Sequence, residues 1–155
     1  SHSVYFEEGV DSEHLLPGVN PYLCWWEEWS GPDNCTYDGA RHALEWIYGK
    51  DVLKHGRNND TEHLVTMLHR FDQRKYFPHD GRDPLLDDEG LIFIPPNCSM
   101  SDAPVPCKLH VFLHGCDVVD TYPVFSKFGG FNEWAAWNNI VILYPKMSTR
   151  GNSLQ

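Results

Sequence analysis

Long apolar runs are missing from this 155-residue chain. Its short apolar stretches, near Leu91 and Ile140, fall far below the ~20 residues that a membrane-spanning helix needs, which excludes a membrane partner of that kind. Ser1 to Val10 has neither a basic start nor an apolar block, so no signal peptide is read there. Cations are scarce as well. Twelve Lys and Arg stand against 22 Asp and Glu, a net charge of −10, which argues against nucleic acid or an anionic membrane surface as a partner. The sequence contains no C-x-x-C pair, and with it goes the usual signature of a zinc site. It also shows no internal repeat.

Cysteine, by contrast, is plentiful: five in a chain of this size point to an oxidising compartment, and so to a secreted protein. Cys24 and Cys35 flank the turn-rich Ser30-Gly31-Pro32, and Cys98 and Cys107 bracket a loop that gains from a staple. Those two local pairs are the expected disulfides. Cys116 is left over, as a buried free thiol or as a sign of some other connectivity. Three sequons, at Asn34, Asn59 and Asn97, agree with secretion and glycosylation. In two of them the central residue is a cysteine, whose disulfide would compete with modification, so Asn59 is the better acceptor.

The chain is long enough for one domain with a core. Val4 to Glu7 reads as a short strand and Asp11 to Pro17 as a loop. Thr36 is placed to cap a helix whose apolar positions Ala40, Ala43, Leu44, Ile47 and Tyr48 follow helical spacing, with Gly49 as its stop. Lys50 to Asp88 is charged and histidine-rich, with one short helical turn over Glu62 to Leu68. Leu91 to Ile94 is a strand ended by Pro95-Pro96, and Lys108 to Leu113 is another. A helix from Gly129 to Asn138 and a buried strand from Ile140 to Tyr144 follow. The pattern predicts an α/β chain with a mostly parallel sheet. Four strands make a small sheet for that architecture, with two outer edges needing cover.

Residues 109–116, Leu-His-Val-Phe-Leu-His-Gly-Cys, concentrate the chemistry. An apolar strand runs directly into a His-Gly turn, the arrangement by which an α/β-hydrolase aims a backbone N–H at a developing oxyanion. Strand, His-Gly loop, helix, strand matches the third strand, oxyanion loop, first helix and fourth strand of that fold. Acyl transfer by serine also needs a hydroxyl on a strained turn, usually Gly-x-Ser-x-Gly, with a histidine and an acid. No such sequence is present: Gly151-Asn152-Ser153 begins it, fails at Gln155, and follows no strand. Of nine histidines, His14 lies a few residues beyond the strand Val4–Glu7, where a hydrolase places its base; the alternative is a plain surface histidine. His110 and His114 sit four apart on one face of a strand, without an obvious third ligand. No metal is therefore assigned; His110 packs and His114 shapes the loop. His55, His63 and His69 read as solvated.

Several motifs together resemble the secreted poly(3-hydroxybutyrate) depolymerases. They are Leu91-Ile-Phe-Ile-Pro-Pro-Asn-Cys98, Cys107-Lys-Leu-His-Val-Phe-Leu-His-Gly-Cys116, Phe131-Asn-Glu-Trp-Ala135 and Ile140-Val-Ile-Leu-Tyr-Pro145. Tyr37-Asp38, Ile47-Tyr48-Gly49, Phe71-Asp72-Gln73 and Asp88-Glu89-Gly90 extend the likeness, which covers residues 14 to 146. In circularly permuted members of that family the order is serine, aspartate, histidine and then the His-Gly-Cys loop. The resemblance therefore implies that His14 is the general base, that the Cys116 backbone N–H is an oxyanion-hole donor, and that His114 and Gly115 shape the loop. It also implies that Cys116 pairs with the cysteine of an Asn-Pro-x-Gly-Cys-Trp segment, which residues 1–155 do not contain.

The expectation is thus a portion (residues 1–155) of a circularly permuted α/β-hydrolase catalytic domain. Serine and aspartate would come from the remaining portion of the same hydrolase. The substrate would be an ester or polyester, poly(3-hydroxybutyrate) or a related short-chain hydroxyacyl ester, with no cofactor. The chain as given would be inactive alone. Trp25, Trp26 and Trp29 either line an apolar cleft for such a substrate or fill the core beside Cys24 and Cys35. The alternative, from a different class, is a secreted binding or structural protein that keeps the scaffold without catalysis.

Overall fold

A computed structural model of the chain describes residues 6–10, 17–19, 36–80, 82–99, 106–115 and 122–148. The expected strand Val4–Glu7 falls partly outside them, and Phe6 and Glu7 are not in a strand. Helix α1 (Gly39–Tyr48) is an amphipathic helix with Ala40 and Leu44 buried. Its cap is Asp38 rather than Thr36: one carboxylate oxygen accepts from the Arg41 N–H at 3.0 Å, and the other accepts from the Trp134 indole N–H at 2.8 Å. A carboxylate has two acceptor oxygens and a hydroxyl offers one, so aspartate can cap this helix and dock a second one together. Gly49 closes the helix with a φ of +90°, which an L side chain rarely adopts.

Helix α2 (Thr61–Thr66) is one short turn capped by Asp60, whose carboxylate accepts from the His63 N–H. Strand β1 (Leu68–Asp72) follows, inside the segment that reads from sequence as a charged connection. Its outward positions are polar, with His69 and Arg70 exposed, so it carries little of the alternation that announces a strand. Strand β2 (Glu89–Phe93) starts two residues earlier than its apolar run, and β3 (Lys108–Val111) is the shortest of the set. Helix α3 (Tyr122–Phe128), unread in the sequence, leads into α4 (Phe131–Asn138), which ends at Asn139 in the left-handed region. Strand β4 (Ile140–Tyr144) matches its prediction at both ends.

The strands form one four-stranded sheet in the order β1-β2-β4-β3. The expected mostly parallel sheet is not what the described residues show. β1 with β2 and β2 with β4 are antiparallel, and only β3 with β4 is parallel. Strand direction depends on which strands become neighbours, and no local pattern encodes that. The parallel pair needs a crossover, supplied here by α3 and α4.

Ile140, Ile142 and Tyr144 alternate onto the buried face of β4 and join Leu44, Leu64, Phe93, Phe131 and Ala135 in the core. Trp134 packs against this core, whereas Trp137 is 53% exposed. Glu133, fully buried on α4, accepts from the Thr61 hydroxyl at 3.2 Å and meets the Arg57 guanidinium at 3.4 Å. That pairing ties the segment ahead of α2 to the central helix.

Cys98 and Cys107 are joined in a disulfide, as expected. It brings the end of the segment after β2 to the start of β3. Cys24 and Cys35 lie outside the described residues. The Asn97 side chain donates to Asn139 at 3.2 Å and its neighbour Cys98 is in the disulfide, whereas Asn59 is exposed.

Candidate active site

The His-Gly turn leaves the sheet at the end of β3. Phe112 extends the parallel ladder by one bond, its N–H donating to the Leu143 carbonyl at 2.9 Å. Its ring packs against Phe131 and Tyr144 with centroids 5.2 Å and 5.8 Å apart. Leu113 then points out, 75% exposed, and His114 turns back in, 9% exposed.

The two histidines of the motif do different work. His110 belongs to β3, stacks on Phe131 at 5.0 Å and meets the Tyr48 ring edge-on at 6.0 Å. Burial pushes its pKa below the ordinary histidine value, because the imidazolium would be desolvated. His114 lies beyond the strand's end, so the same-face pairing expected for a continuous strand does not apply to it. No group of three or more metal-ligating side chains lies together among the described residues.

Both nitrogens of His114 are engaged. Nε2 lies 3.0 Å from the Met147 backbone nitrogen, whose N–H donates to it. Nδ1 lies 2.8 Å from the Gly115 carbonyl oxygen. A carbonyl can only accept, and the Met147 N–H can only donate. The two contacts are satisfied together when the proton sits on Nδ1 and Nε2 is bare. The ring also meets Tyr122 edge-on at 5.3 Å.

Tyr122 stands on α3, 4% exposed. Its hydroxyl accepts from the Leu91 N–H at 3.0 Å and donates to the Tyr144 carbonyl. Leu91 and Tyr144 face each other across β2 and β4, so this hydroxyl bridges the two strands where they part. Burial raises its pKa strongly, so the hydroxyl keeps its proton and its donor role. Tyr144 is itself tied down, its hydroxyl donating to Asn132 at 2.8 Å.

Met147, the partner of His114, is held from the opposite side. It bridges to Leu86, and the next N–H, of Ser148, donates to the Leu85 carbonyl at 2.8 Å. Gln73, 3% exposed, donates through its amide to the Asp87 and Lys146 carbonyls at 2.7 Å and 3.0 Å. Its oxygen accepts from the Lys146 N–H at 3.1 Å. The turn after β4 is therefore fastened to both ends of the connection between β1 and β2, and it presents the Met147 N–H to His114. Gly90 makes room for this stitch: a Cβ there would lie 2.7 Å from the Gln73 oxygen and from the Phe71 ring. The sequence singles out neither Tyr122 nor Met147, and offers Gln73 only within the motif Phe71-Asp72-Gln73, because the partners of all three are distant in the chain.

A cleft of about 400 Å³ opens beside Tyr122, with Arg70, Glu89, Leu91, Lys127 and Lys146 in its walls. Arg70 pairs with Glu89 at 2.9 Å and Lys146 with Asp87 at 2.8 Å, so most of its charge is already matched. His114 and Gly115 are not among the lining residues. Of the other residues expected at a site, His14, Trp25, Trp26, Trp29 and Cys116 lie outside the described residues.

No family model matches the chain. Among curated proteins it is 40% identical over 117 residues to a polyhydroxybutyrate depolymerase of Talaromyces funiculosus, covering 73% of this chain and 31% of that protein. It is 33% identical over 118 residues to a poly(3-hydroxybutyrate) depolymerase of Delftia acidovorans, covering 75% of this chain and 22% of that one. The solved structure of a PHB depolymerase from Penicillium funiculosum superposes with a TM-score of 0.58 at 35% identity, over 76% of this chain and 35% of the other. A PHB depolymerase in complex with an R3HB trimer superposes with the same TM-score at 36% identity. The chain thus spans between about a fifth and a third of the length of the curated relatives it matches. With its strand, His-Gly loop, helices and strand in the expected order, the chain belongs to a poly(3-hydroxybutyrate) depolymerase-like family with an α/β-hydrolase-like fold.

Proposed function

We propose that this chain is the base-bearing and oxyanion-loop portion of a secreted serine esterase that hydrolyses poly(3-hydroxybutyrate) or related short-chain hydroxyacyl esters. The observation that carries the reading is the His-Gly loop at the end of β3. It follows β3 and its glycine carbonyl is held by His114, in a chain 40% identical to a polyhydroxybutyrate depolymerase, and this supports the reading. An R3HB trimer is bound by one of the structural relatives, which supports a polyester as the substrate class.

In this mechanism a serine from the remaining portion of the hydrolase attacks the ester carbonyl. His14 accepts the serine proton and returns it to the leaving alkoxide, and an aspartate from that same portion orients the imidazole. The Cys116 backbone N–H stabilises the charge that gathers on the tetrahedral oxygen. Water, activated by the same histidine, then releases the acyl group. Every step is carried by side chains and backbone, with no cofactor. Trp25, Trp26 and Trp29 are assigned to the apolar wall of the substrate cleft. Residues 1–155 contain no Gly-x-Ser-x-Gly, so on this reading they do not hydrolyse ester by themselves.

The test is labelling of the intact protein with a fluorophosphonate serine probe, followed by mass mapping. Label on a serine outside residues 1–155, abolished by prior treatment with an ester-mimicking phosphonate, supports the esterase. Folded protein that takes no label points to a scaffold kept for binding. In the labelled protein, His14→Ala should lower turnover by at least ~10³-fold without loss of folding; near-normal turnover would remove His14 from the mechanism.

A further inference from the structure

The cleft beside Tyr122 has no part in the hydrolysis described above, and its walls are uneven in character. Leu68, Leu91, Tyr122 and Pro123 give it carbon surface. The polar atoms at its base are engaged with one another, since the Tyr122 hydroxyl accepts from the Leu91 N–H and donates to the Tyr144 carbonyl. What the base offers a small molecule is therefore mostly apolar.

Charge is arranged differently. Arg70, Lys127 and Lys146 all stand in the walls, in a chain whose net charge is −10. Two of these cations are matched, Arg70 by Glu89 at 2.9 Å and Lys146 by Asp87 at 2.8 Å. Lys127 is not. It is half-buried in the last turn of α3, and its ammonium meets no carboxylate among the described residues. A cation in that turn suits the helix dipole, which accounts for its place in the sequence but not for its place in a cleft wall. A partly desolvated ammonium without a counter-ion gains most from an anion, through a charge-assisted hydrogen bond.

An apolar base and one unmatched cation together select a small molecule with a single negative charge and a short carbon body. At about 400 Å³ the cleft lies at the low end of the ~300–1,000 Å³ found for small-ligand sites. That is room for a short acid rather than for a length of polymer.

We infer that this cleft binds a short-chain 3-hydroxy acid, with Lys127 taking the carboxylate and the wall of Leu68, Leu91 and Tyr122 taking the carbon chain. The cleft by itself calls for a small monoanion; naming that anion as the acid released by ester hydrolysis rests on the esterase reading and deepens it. Hydrolysis turns a neutral ester into a carboxylate and an alcohol. A polyester is neutral along its length, so the charge that Lys127 recognises arises with the product and at the chain's carboxyl end. Tyr122 belongs to both places: it lines the cleft, and its ring meets His114 edge-on at 5.3 Å. The released acid thus has a holding place one ring away from the His-Gly loop.

The test uses the intact protein with its nucleophile blocked by a phosphonate, so that acid cannot occupy the reaction centre. The amide signals of Gly90, Leu91 and Lys127 are followed by NMR as 3-hydroxybutyrate is added. Saturable shifts are expected at roughly millimolar acid, a modest affinity that suits one charged contact and a small apolar area. The neutral isostere 3-hydroxybutyramide should bind about 5- to 20-fold more weakly, as should the acid to Lys127→Gln, which is the worth of one charged hydrogen bond discounted for solvent. Lys127→Arg keeps the charge and should stay within about threefold of wild type, on the same grounds. Inorganic phosphate, which has charge without a carbon body, should bind more weakly than the acid.

Equal binding of acid and amide, or an unchanged response in Lys127→Gln, overturns the inference. So does a labelled, active enzyme that shows no saturable shifts at these amides. A long oligomer acid that binds more tightly than the monomer would make the occupant a chain end and overturn the assignment to the released acid. If the protein takes no fluorophosphonate label, the same titration is run without the block. Acid-selective shifts that depend on Lys127 would then uphold the cleft and refute the esterase reading instead.

Discussion

Replacing Tyr122 with phenylalanine removes one oxygen atom and leaves the ring in place. That oxygen accepts from the Leu91 N–H at 3.0 Å and donates to the Tyr144 carbonyl. The two strands are in antiparallel register at this pair, so the hydroxyl completes their ladder where the strands part. Without it, two backbone groups in a largely buried setting lose a partner, at about 1–3 kcal/mol each when water cannot substitute. The cleft beside Leu91 and Tyr122 admits water on one side, which discounts the Leu91 share more than the Tyr144 share. The expected loss is therefore about 2–4 kcal/mol. Total stability for a domain is about 5–15 kcal/mol, and 1 kcal/mol moves the melting temperature by about 2–4 °C at this size. Thermal unfolding of the intact variant should show a fall of roughly 5–15 °C, by the same conversion, and urea unfolding an unchanged m-value with a lower midpoint. The ring still packs against His114, so the histidine tautomer should be unchanged by NMR. A loss under about 0.5 kcal/mol would refute the bridge, since a surface hydroxyl would cost that little.

Gly90→Ala would press a methyl group to within 2.7 Å of both the Gln73 oxygen and the Phe71 ring. A destabilisation of about 1–3 kcal/mol is expected, and unfolding at the wild-type midpoint would contradict the close approach. Replacing Cys98 and Cys107 with serine opens a loop of sequence separation 9. The chain-entropy estimate for such a loop is about 3 kcal/mol, to be read from denaturant midpoints of the oxidised protein and the double variant. His110 contributes a pH dependence of definite sign. Its folded pKa is depressed by burial, so below about 6.5, the ordinary histidine value, the unfolded chain binds a proton that the folded chain refuses. Stability should fall as pH drops from about 6.5 towards the folded value and level off below it. His110→Phe should flatten this slope relative to wild type between about pH 7.5 and 5, across the ordinary histidine range; an unchanged slope would assign the dependence elsewhere.

The elements legible in the sequence are those whose signal is local. Ile140 to Tyr144 alternates onto a buried face and was bounded correctly at both ends. Helix α1 has apolar residues at helical spacing and a glycine stop. Cys98 and Cys107 are close enough in sequence to meet through one loop. The His-Gly turn was legible because a strand running into it has few other uses, and the fold places it at the end of β3 as read.

What escaped was set by neighbours distant in the chain. β1 lies at the sheet edge with polar residues outward, so its pairing with β2, rather than any periodicity of its own, makes it a strand. The direction of β2 relative to β4 reversed the parallel expectation for the same reason. Asp38 displaced Thr36 as the cap because Trp134, 96 residues away, uses its second oxygen.

The candidate site divides along the same line. Residue types and their order were enough to locate the His-Gly loop at the end of β3 and to connect this chain with its family. Which histidine nitrogen carries the proton was decided by Met147, 33 residues downstream of His114, and the strand bridge by Tyr122, 31 residues beyond Leu91. A sequence can state that a backbone group needs a partner. Only the packed chain determines which atom arrives to meet it.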